Sequence, residues 1–315
     1  MFSYRHAFHA GNHADVLKHT ALIATLKYLT QKDAGLTVVD THAGAGLYRL
    51  DGDYAHKGGE SVDGVLKLFK ALNSKPNQPV AGVLPAQTAI KKVAPCLQDY
   101  LDLLQSFNGK GGIKIYPGSP FVAHALLRHE ARDRLKLFEL HPTDHRALTG
   151  NIEQLGAGRM VSVVREDGFT ALKPLLPPPN RRALVLMDPS YELKSDYSQV
   201  STSIAEALKR FATGTYMVWY PVIPRPEAHE LPRRLKTLAN QAKRPWLHAT
   251  LSIGAAPELP LDVEGRPQRP GLEASGVFLI NPPHTLKAEL QAALPQMLAV
   301  LGRGRGKAYT LDSGG

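Results

Sequence analysis

The chain has 315 residues, enough for one large domain with an insertion or for two modest domains. No uninterrupted apolar segment reaches the roughly 18–20 residues that a membrane span needs, and residues 1–6 lack the apolar core of a secretory signal. The single cysteine, Cys96, excludes an internal disulfide and a cysteine-based zinc site. We therefore expect a cytoplasmic protein without a membrane partner.

The charge balance is strongly basic, with 38 lysines and arginines against 28 aspartates and glutamates. This excess favours a polyanionic partner such as nucleic acid. A soluble enzyme with a high isoelectric point fits the composition equally well. Thirteen histidines add further charge only where the site or the pH protonates them.

The first predicted elements are a helix over residues 12–32, capped by Asn12 or Asp15, and a strand over residues 36–40. Residues 51–117 then interrupt the alternation of strands and helices. They hold two helical patterns, separated by a stretch rich in proline and glycine, and we predict an inserted helical subdomain there.

The alternation resumes after this insertion. Further strands are predicted at 135–139, 160–164, 183–188, 215–220, 246–253 and 276–281, and further helices at 143–155, 197–211, 227–243 and 286–301. This order predicts an α/β fold with a doubly wound and mostly parallel sheet over residues 1–50 and 118–302. The last two strands have no helix between them, which indicates an antiparallel edge. The basic tail 303–315 is predicted to be disordered.

A buried strand that ends in glycines is the first motif with functional meaning. It is Val38-Val39-Asp40-Thr41-His42-Ala43-Gly44-Ala45-Gly46. Glycines at the carboxyl end of such a strand let the backbone approach a ligand closely. Arg49 stands at the third glycine position of the dinucleotide pattern G-x-G-x-x-G, so a nicotinamide or flavin site is disfavoured. A plain strand-to-loop turn remains the alternative.

Two acidic residues follow the next two predicted strands. Glu139 could accept both hydroxyls of a ribose, and it could equally be an acid that precedes a helix. Asp167 and Gly168 could receive the amine and a ring nitrogen of a cofactor's adenine, although Asp-Gly is also a common turn.

The segment Asp188-Pro189-Ser190-Tyr191 ends a predicted buried strand and carries the sharpest signal. An exocyclic base amine is a poor nucleophile because its lone pair is conjugated into the ring. The Asp188 carboxylate and the Pro189 carbonyl could accept its two N–H bonds, while Tyr191 stacks on the extruded base. A turn preceding a helix is the alternative. With the glycine turn, this segment predicts a methyltransferase that uses S-adenosylmethionine (SAM) and acts on a nucleobase without a metal.

The N-terminal stretch is dense in polar groups, including Tyr4, His6, Lys18 and His19. The pair His6 and His9 has metal-ligand spacing but lacks the glutamate of a zincin. We interpret the stretch as a cap that contacts substrate and cofactor, with a solvated surface segment as the alternative.

At these residues the chain resembles the RlmJ family, adenine-N6 methyltransferases of large-subunit ribosomal RNA. The similarity runs through most of the chain, including Ser3-Tyr4-Arg5-His6, the segment from Phe8 to His19, Asp40 to Gly46, Tyr116-Pro117-Gly118-Ser119-Pro120, Glu139-Leu140-His141-Pro142, Asp167-Gly168-Phe169, Trp219-Tyr220-Pro221 and Asn281-Pro282-Pro283. It implies a Rossmann-like methyltransferase domain with a small helical insertion, in a cytoplasmic monomer that methylates an adenine of free 23S rRNA.

The resemblance also implies residue roles. SAM would be held by His19, His42, Ser119, Glu139, Asp167 and Gly168. Asp188 would be catalytic, and Tyr4 would contact the substrate adenosine near His6 and Lys18. Two features depart from the family: Ser190 replaces a motif proline, which implies a less rigid loop and slower turnover, and the basic tail and the insertion differ. The alternatives are a nucleic-acid-binding protein for use of external DNA and a DNA adenine methyltransferase.

Overall fold

The computed structural model describes residues 6–51, 60–73, 90, 92–255 and 271–315. Its strands are β1 Thr37–Asp40, β2 Leu47–Arg49, β3 Ile115–Pro117, β4 Arg134–Phe138, β5 Val161–Val164, β6 Ala183–Met187, β7 Thr215–Pro221, β8 Trp246–Ser252, β9 Ala274–Ile280 and β10 Ala308–Gly314. Its α-helices are α1 His13–Leu29, α2 Lys67–Asn73, α3 Pro95–Ser106, α4 Ser119–Leu126, α5 Pro142–Glu153, α6 Gly168–Leu175, α7 Lys194–Arg210, α8 Pro226–Gln241 and α9 Leu286–Leu301.

Eight of these strands form one sheet in the order β10-β8-β9-β7-β6-β1-β4-β5. The five strands from β7 to β5 are parallel. Strands β1 and β6 are buried at every position, which explains why their sequences are continuous apolar runs rather than alternating ones. The predicted α/β class and the mostly parallel sheet are confirmed.

The other side of the sheet is antiparallel, as predicted. Strand β9 pairs antiparallel with both β7 and β8, and β10 pairs antiparallel with β8 over seven residues. The prediction of a disordered tail is therefore wrong for residues 308–314. The tail looked disordered because its side chains are polar and mostly exposed, but the free backbone groups of β8 hold it by main-chain hydrogen bonds.

Strand β1 marks the point where the winding of the sheet reverses. The chain passes from β1 outward to β4 and β5, and then returns to place β6 and β7 on the other side of β1. In open α/β sheets, ligands bind at the carboxyl ends of the strands near such a point. The ends of β1, β4, β5 and β6 are therefore where a site is expected.

Helix α1 is buried on all sides from His13 to Leu26. It begins after Asn12, whose side-chain oxygen accepts a hydrogen bond from the backbone N–H of Asp15 at 3.0 Å. Helices α3, α4 and α9 and strand β9 pack around it. Because of this packing, the charged residues Asp15 and Lys18 lie inside the molecule, which a single predicted apolar face did not anticipate.

The described parts of the insertion pack against the main core rather than forming a separate body. Helix α3 contacts α1 and α9, and β3 forms a two-stranded antiparallel sheet with β2. The predicted proline- and glycine-rich stretch of the insertion lies largely outside the described residues. In the part of the chain that the structure describes, no helix is long and apolar enough to cross a membrane.

Candidate active site

A cavity of about 470 Å³ opens at the carboxyl ends of β1, β4, β5 and β6. Ten residues singled out from the sequence line it: His6, Lys18, His19, His42, Ser119, Glu139, Asp167, Gly168, Asp188 and Pro189. Tyr4 lies outside the described residues. Residues from four strand ends, from α1 and from the start of α4 thus meet in one place, although they are far apart in sequence.

Tyr191 is the exception, and its position contradicts the expected stacking role. It is only 2% exposed and does not line the cavity. Its hydroxyl donates a hydrogen bond to the carbonyl oxygen of Trp219 at 2.6 Å, and its ring packs against Tyr197. The backbone of Tyr191 adopts a positive φ of 55°, which turns the side chain into the core. Tyr191 therefore anchors the turn after Asp188.

Glu139 ties the glycine turn after β1 to the end of β4. One carboxylate oxygen accepts from the backbone N–H of Gly44 at 2.8 Å and the other from that of His141 at 2.7 Å. Burial raises the pKa of this carboxyl above its usual value, although both hydrogen bonds oppose the shift. The carboxylate is thus fixed at the cavity wall with oxygen lone pairs still available.

Asp167 and Gly168 begin helix α6 beside the same turn. Asp167 caps the helix by accepting from the backbone N–H of Phe169 at 2.8 Å, so the pair begins a helix rather than forming the Asp-Gly turn considered as the alternative. Both residues nevertheless line the cavity. A Cβ atom on Gly168 would lie 2.0 Å from the carbonyl oxygen of Thr41, so only glycine fits there.

Ser119 is held by a carboxylate that is almost wholly buried. Its hydroxyl donates to Asp40 at 2.6 Å, and the other Asp40 oxygen accepts from the backbone N–H of His42 at 3.2 Å. Burial raises the pKa of Asp40 to about 6. Because its proton is used on Asp40, the Ser119 hydroxyl presents lone pairs to the cavity.

The two histidines expected to hold the cofactor are both neutral. Burial lowers the pKa of His19 and that of His42 to about 3 each. His19 Nδ1 shares a hydrogen bond with the Tyr116 hydroxyl at 2.7 Å, and His42 Nδ1 shares one with the Thr41 hydroxyl at 2.8 Å. His19 Nε2 is buried and has no hydrogen-bond partner among the described residues.

A chain of charges runs from the N-terminal segment to the end of β6. His6 Nε2 lies 3.0 Å from Asp15, Asp15 lies 3.0 Å from the Lys18 ammonium, and that ammonium lies 2.5 Å from Asp188 Oδ2. Burial disfavours the charge of Lys18, but Asp15 and Asp188 outweigh it and raise the pKa of Lys18. Within the described structure, the other Asp188 oxygen, Oδ1, has no hydrogen-bond partner.

His6 and His9 do not converge on one point. His6 contacts Asp15 at 3.0 Å, whereas His9 Nδ1 contacts Glu60 at 2.9 Å. Among the described residues, no group of three or more histidine, cysteine, aspartate or glutamate side chains could hold a metal ion.

The cavity lining is strongly acidic and suits a cationic ligand. Its carboxylates are Glu139, Asp144, Glu166, Asp167, Asp188, Glu192 and Asp196. Lys18 also lines the cavity, but its positive charge is already paired with the carboxylates of Asp15 and Asp188. SAM carries a sulfonium and an ammonium group, so its charge fits this lining. The close approach at Gly168 and the unpartnered His19 Nε2 fit a ligand lying against the turn after β1.

Three residues that support the site were given no such role from the sequence. Asp15 was considered only as a helix cap, yet it joins His6 and Lys18. Asp40 orients Ser119, and Tyr116 contacts His19. The spacing of Asp15 and Lys18 on one helix face was a usable signal. The contacts of Asp40 and Tyr116 join residues 79 and 97 positions apart, which no local pattern reveals.

The fold and the cavity together define a SAM-dependent methyltransferase. The family model described as "Ribosomal RNA large subunit methyltransferase D, RlmJ" matches residues 33–311, and the chain belongs to this family. The Ribosomal RNA large subunit methyltransferase J of Escherichia coli (strain K12) is 39% identical over 297 residues, covering 94% of this chain and 92% of the relative.

Two further relatives extend this similarity. The Ribosomal RNA large subunit methyltransferase J of Haemophilus influenzae is also 39% identical, over 96% of this chain and 94% of the relative. The crystal structure of protein LPL1258 from Legionella pneumophila str. Philadelphia 1 has a TM-score of 0.78 at 30% identity and covers 97% of this chain and 98% of that chain.

Proposed function

We propose that the chain transfers a methyl group from SAM to the exocyclic N6 amine of an adenine in 23S rRNA. The observation that carries the proposal is the placement of Asp188 and Pro189 on the wall of an acidic cavity at the end of β6. Asp188 is fixed by Lys18 through Oδ2, which leaves Oδ1 as an acceptor for an incoming amine.

The chain's part in the reaction is to activate and aim that amine. Asp188 Oδ1 would accept one of its hydrogens and the Pro189 carbonyl the other. These two bonds draw electron density onto the nitrogen and direct its lone pair away from the plane of the ring. SAM supplies a methyl group already activated on a sulfonium and would leave as S-adenosylhomocysteine, while the methylated amine gives up one proton to solvent, so a metal is not required.

Lys18 would orient Asp188 by donating a hydrogen bond to its Oδ2 at 2.5 Å. Lys18 lies 3.0 Å from Asp15 as well, and this second contact fixes the ammonium in place. His6 contacts Asp15 of this cluster at 3.0 Å. This contact supports the proposal that the N-terminal stretch covers the bound substrate.

The proposed cofactor contacts are supported by the position of these residues on the cavity wall. Glu139 would accept the ribose hydroxyls, and Asp167 with the backbone N–H of Gly168 would read the adenine ring of SAM. Ser119, His19 and His42 would hold the amino-acid end. All of these residues line the cavity.

The proposed substrate is supported by family membership and by the charge of the chain. The relatives carry the name of a large-subunit ribosomal RNA methyltransferase. The chain has 38 basic and 28 acidic residues, and this positive balance suits a polyanionic substrate. The cavity itself is acidic, so it suits an extruded base rather than a phosphate group. We further propose that the protein acts as a cytoplasmic monomer on rRNA before it is assembled into subunits, with Tyr4 contacting the adenosine.

The direct test incubates the protein with methyl-labelled SAM and, separately, with deproteinised rRNA, assembled ribosomal subunits and genomic DNA. The rRNA should come from cells that lack the enzyme, so that the target is unmethylated. We expect label in free 23S rRNA as N6-methyladenine at one position, with much less in assembled subunits and DNA. Preferential labelling of DNA, or of a base other than adenine, would contradict the proposal.

A further inference from the structure

A buried chain of hydrogen bonds links the insertion to the cavity wall. The hydroxyl of Tyr100, on α3, lies 3.2 Å from that of Tyr116, and the Tyr116 hydroxyl lies 2.7 Å from His19 Nδ1. All three side chains are fully buried. The Tyr116 ring also stacks on the His19 ring, with an interplanar angle of 23°. The imidazole is therefore fixed in both position and rotation.

The chain of hydrogen bonds has a preferred direction. Within the described structure, Tyr116 is the one hydrogen-bond partner of the Tyr100 hydroxyl. If His19 donated to Tyr116, and Tyr116 to Tyr100, the hydrogen of Tyr100 would be left without an acceptor in the core. Such a loss costs about 1–3 kcal/mol. In the opposite direction, Tyr100 donates to Tyr116 and Tyr116 donates to His19 Nδ1, and the one hydrogen left over is on His19 Nε2, a residue of the cavity lining, where a ligand can accept it.

This direction determines which ring nitrogen carries the proton. Burial keeps His19 neutral at physiological pH, since it lowers the pKa to about 3. A neutral imidazole has one N–H and one acceptor nitrogen. Because Nδ1 accepts from Tyr116, the N–H is on Nε2, which has no partner among the described residues.

The position of His19 indicates which part of the cofactor this N–H meets. Helix α1 packs on β7, on β9 and on α4, which begins with Ser119. Glu139 and Asp167, the acceptors suited to ribose and adenine, follow β4 and β5 on the other side of β1. The methionine end of SAM offers a carboxylate as its hydrogen-bond acceptor, and the Lys18 ammonium beside His19 is already engaged by Asp15 and Asp188.

We propose that Tyr116, oriented by Tyr100, is a positioning residue that holds His19 in the Nε2–H tautomer, so that His19 donates to the carboxylate of the methionine moiety of SAM. The proposal rests on SAM being the cofactor. It gives the insertion a role in cofactor binding, because among the described residues the Tyr100 hydroxyl is linked to the cavity through Tyr116 and His19.

The first test compares two ligands by isothermal titration calorimetry: S-adenosylhomocysteine and its decarboxylated analogue. In Tyr116→Phe the ring remains and the hydroxyl is lost. We expect the Kd for S-adenosylhomocysteine to rise about tenfold, which is the loss of affinity expected when one charge-assisted hydrogen bond is misoriented. The Kd of the decarboxylated analogue should change less than about twofold, since it lacks the group that His19 would hold. An equal loss for both ligands, or no loss for either, would overturn the proposal.

Tyr220→Phe, in β7 of the eight-stranded sheet, is a matched control. Tyr220 is buried, its hydroxyl lies 2.7 Å from His248 Nε2, and its ring stacks on His248 at the same 23° angle. Neither residue lines the cavity. This variant should therefore reproduce the loss of a buried Tyr–His hydrogen bond without changing the Kd of either ligand. A ligand-selective loss in Tyr220→Phe as well would contradict a specific role for Tyr116.

The second test determines the tautomer of His19 directly in the ligand-free protein, so its result does not depend on SAM binding. Protein labelled with ¹⁵N-histidine is examined by NMR, and His19 is assigned from the signals lost in His19→Gln. We expect a protonated Nε2 and an unprotonated Nδ1 in the wild type, with a mixture of tautomers in Tyr116→Phe and in Tyr100→Phe. A protonated Nδ1 in the wild type would overturn the proposal.

Discussion

The ammonium nitrogen of Lys18 lies 2.5 Å from Oδ2 of Asp188, and this contact joins helix α1 to the end of β6 across 170 positions of sequence. The Lys18 side chain is 5% exposed and that of Asp188 13%, so water screens the pair little. The contact engages one oxygen of Asp188, and the other has no hydrogen-bond partner within the described structure. Helix α1 is thereby joined by an ion pair to the end of β6, where the proposed catalytic residue lies.

Replacing Asp188 by asparagine should remove activity and spare cofactor binding. Asparagine has nearly the same size but no charge. Its side chain has one oxygen and one NH2 group, so it cannot accept from both Lys18 and the substrate amine as two carboxylate oxygens can. We expect kcat to fall at least about 100-fold, as when a polar group that stabilises a transition state is removed. Calorimetry should show S-adenosylhomocysteine still binding. Asp312→Asn, an exposed change on β10, is the control, and wild-type activity in Asp188→Asn would contradict the assignment.

Adding a methyl group at Gly168 should be far more damaging than adding one at Gly150. The new Cβ at Gly168 would lie 2.0 Å from the Thr41 carbonyl oxygen, so the turn after β1 would have to shift. We expect Gly168→Ala to weaken S-adenosylhomocysteine binding and to destabilise the protein by about 1–3 kcal/mol. Gly150 lies in helix α5 with nothing within 4 Å of a new Cβ. Gly150→Ala should stabilise the fold by up to about 1 kcal/mol. Equal effects in denaturant titrations would refute this reading of the turn.

Stability should fall as the pH decreases from 6 to 5. Burial lowers the pKa of His13 to about 4 and that of His19 and His42 to about 3. Each titrates near 6.5 when unfolded, so the unfolded state binds more protons than the folded state in this window. Each histidine therefore lowers the free energy of unfolding by about 1.4 kcal/mol for each unit by which the pH decreases. Asp40, whose pKa is raised to about 6 by burial, has the opposite effect because the folded state takes up its proton first.

Together these four groups should change the free energy of unfolding by roughly 3 kcal/mol per pH unit, measured by urea titration at pH 7, 6 and 5. His13→Gln should reduce that slope by about 1.4 kcal/mol per pH unit, because one buried neutral histidine is removed. A free energy of unfolding that is constant between pH 6 and pH 5 would show that these histidines are not held neutral by burial.

Restoring the family's proline at Ser190 should leave the reaction intact. Ser190 lines the cavity between Pro189 and the anchored Tyr191. A proline restricts the unfolded chain and stabilises a protein by about 0.4–1 kcal/mol where the backbone accepts it. We expect Ser190→Pro to raise thermal stability and to equal or exceed the wild-type kcat. Ser190→Ala, which leaves φ free, is the control, and a slower Ser190→Pro would mean that this loop must move during turnover.

The parallel half of the sheet was predictable because its strands are buried on both faces and so appear as unbroken apolar runs. The strands ending at Asp40 and Asp188 were found for this reason, and the polar residues that follow them do meet at one cavity. The cap at Asn12 was predictable from local hydrogen-bonding chemistry. Ten of the twelve predicted site residues line the cavity, but their individual roles remain predictions.

The features that sequence reasoning missed depend on contacts between distant segments. Strand β10 is polar, and only the free edge of β8 makes it a strand. Tyr191 was expected at the cavity, but the positive φ of its backbone turns its ring inward toward Tyr197. The burial of Lys18 follows from packing of α3 and α9 around α1, which no pattern within α1 reveals.

The most direct test of the account is a crystal structure of the protein soaked with S-adenosylhomocysteine. We predict that this product lies in the 470 Å³ cavity, with its ribose on Glu139 and its sulfur facing Asp188. Product bound away from Asp188, for example in the smaller cavity of about 260 Å³ beside Arg181 and Arg182, would contradict the account.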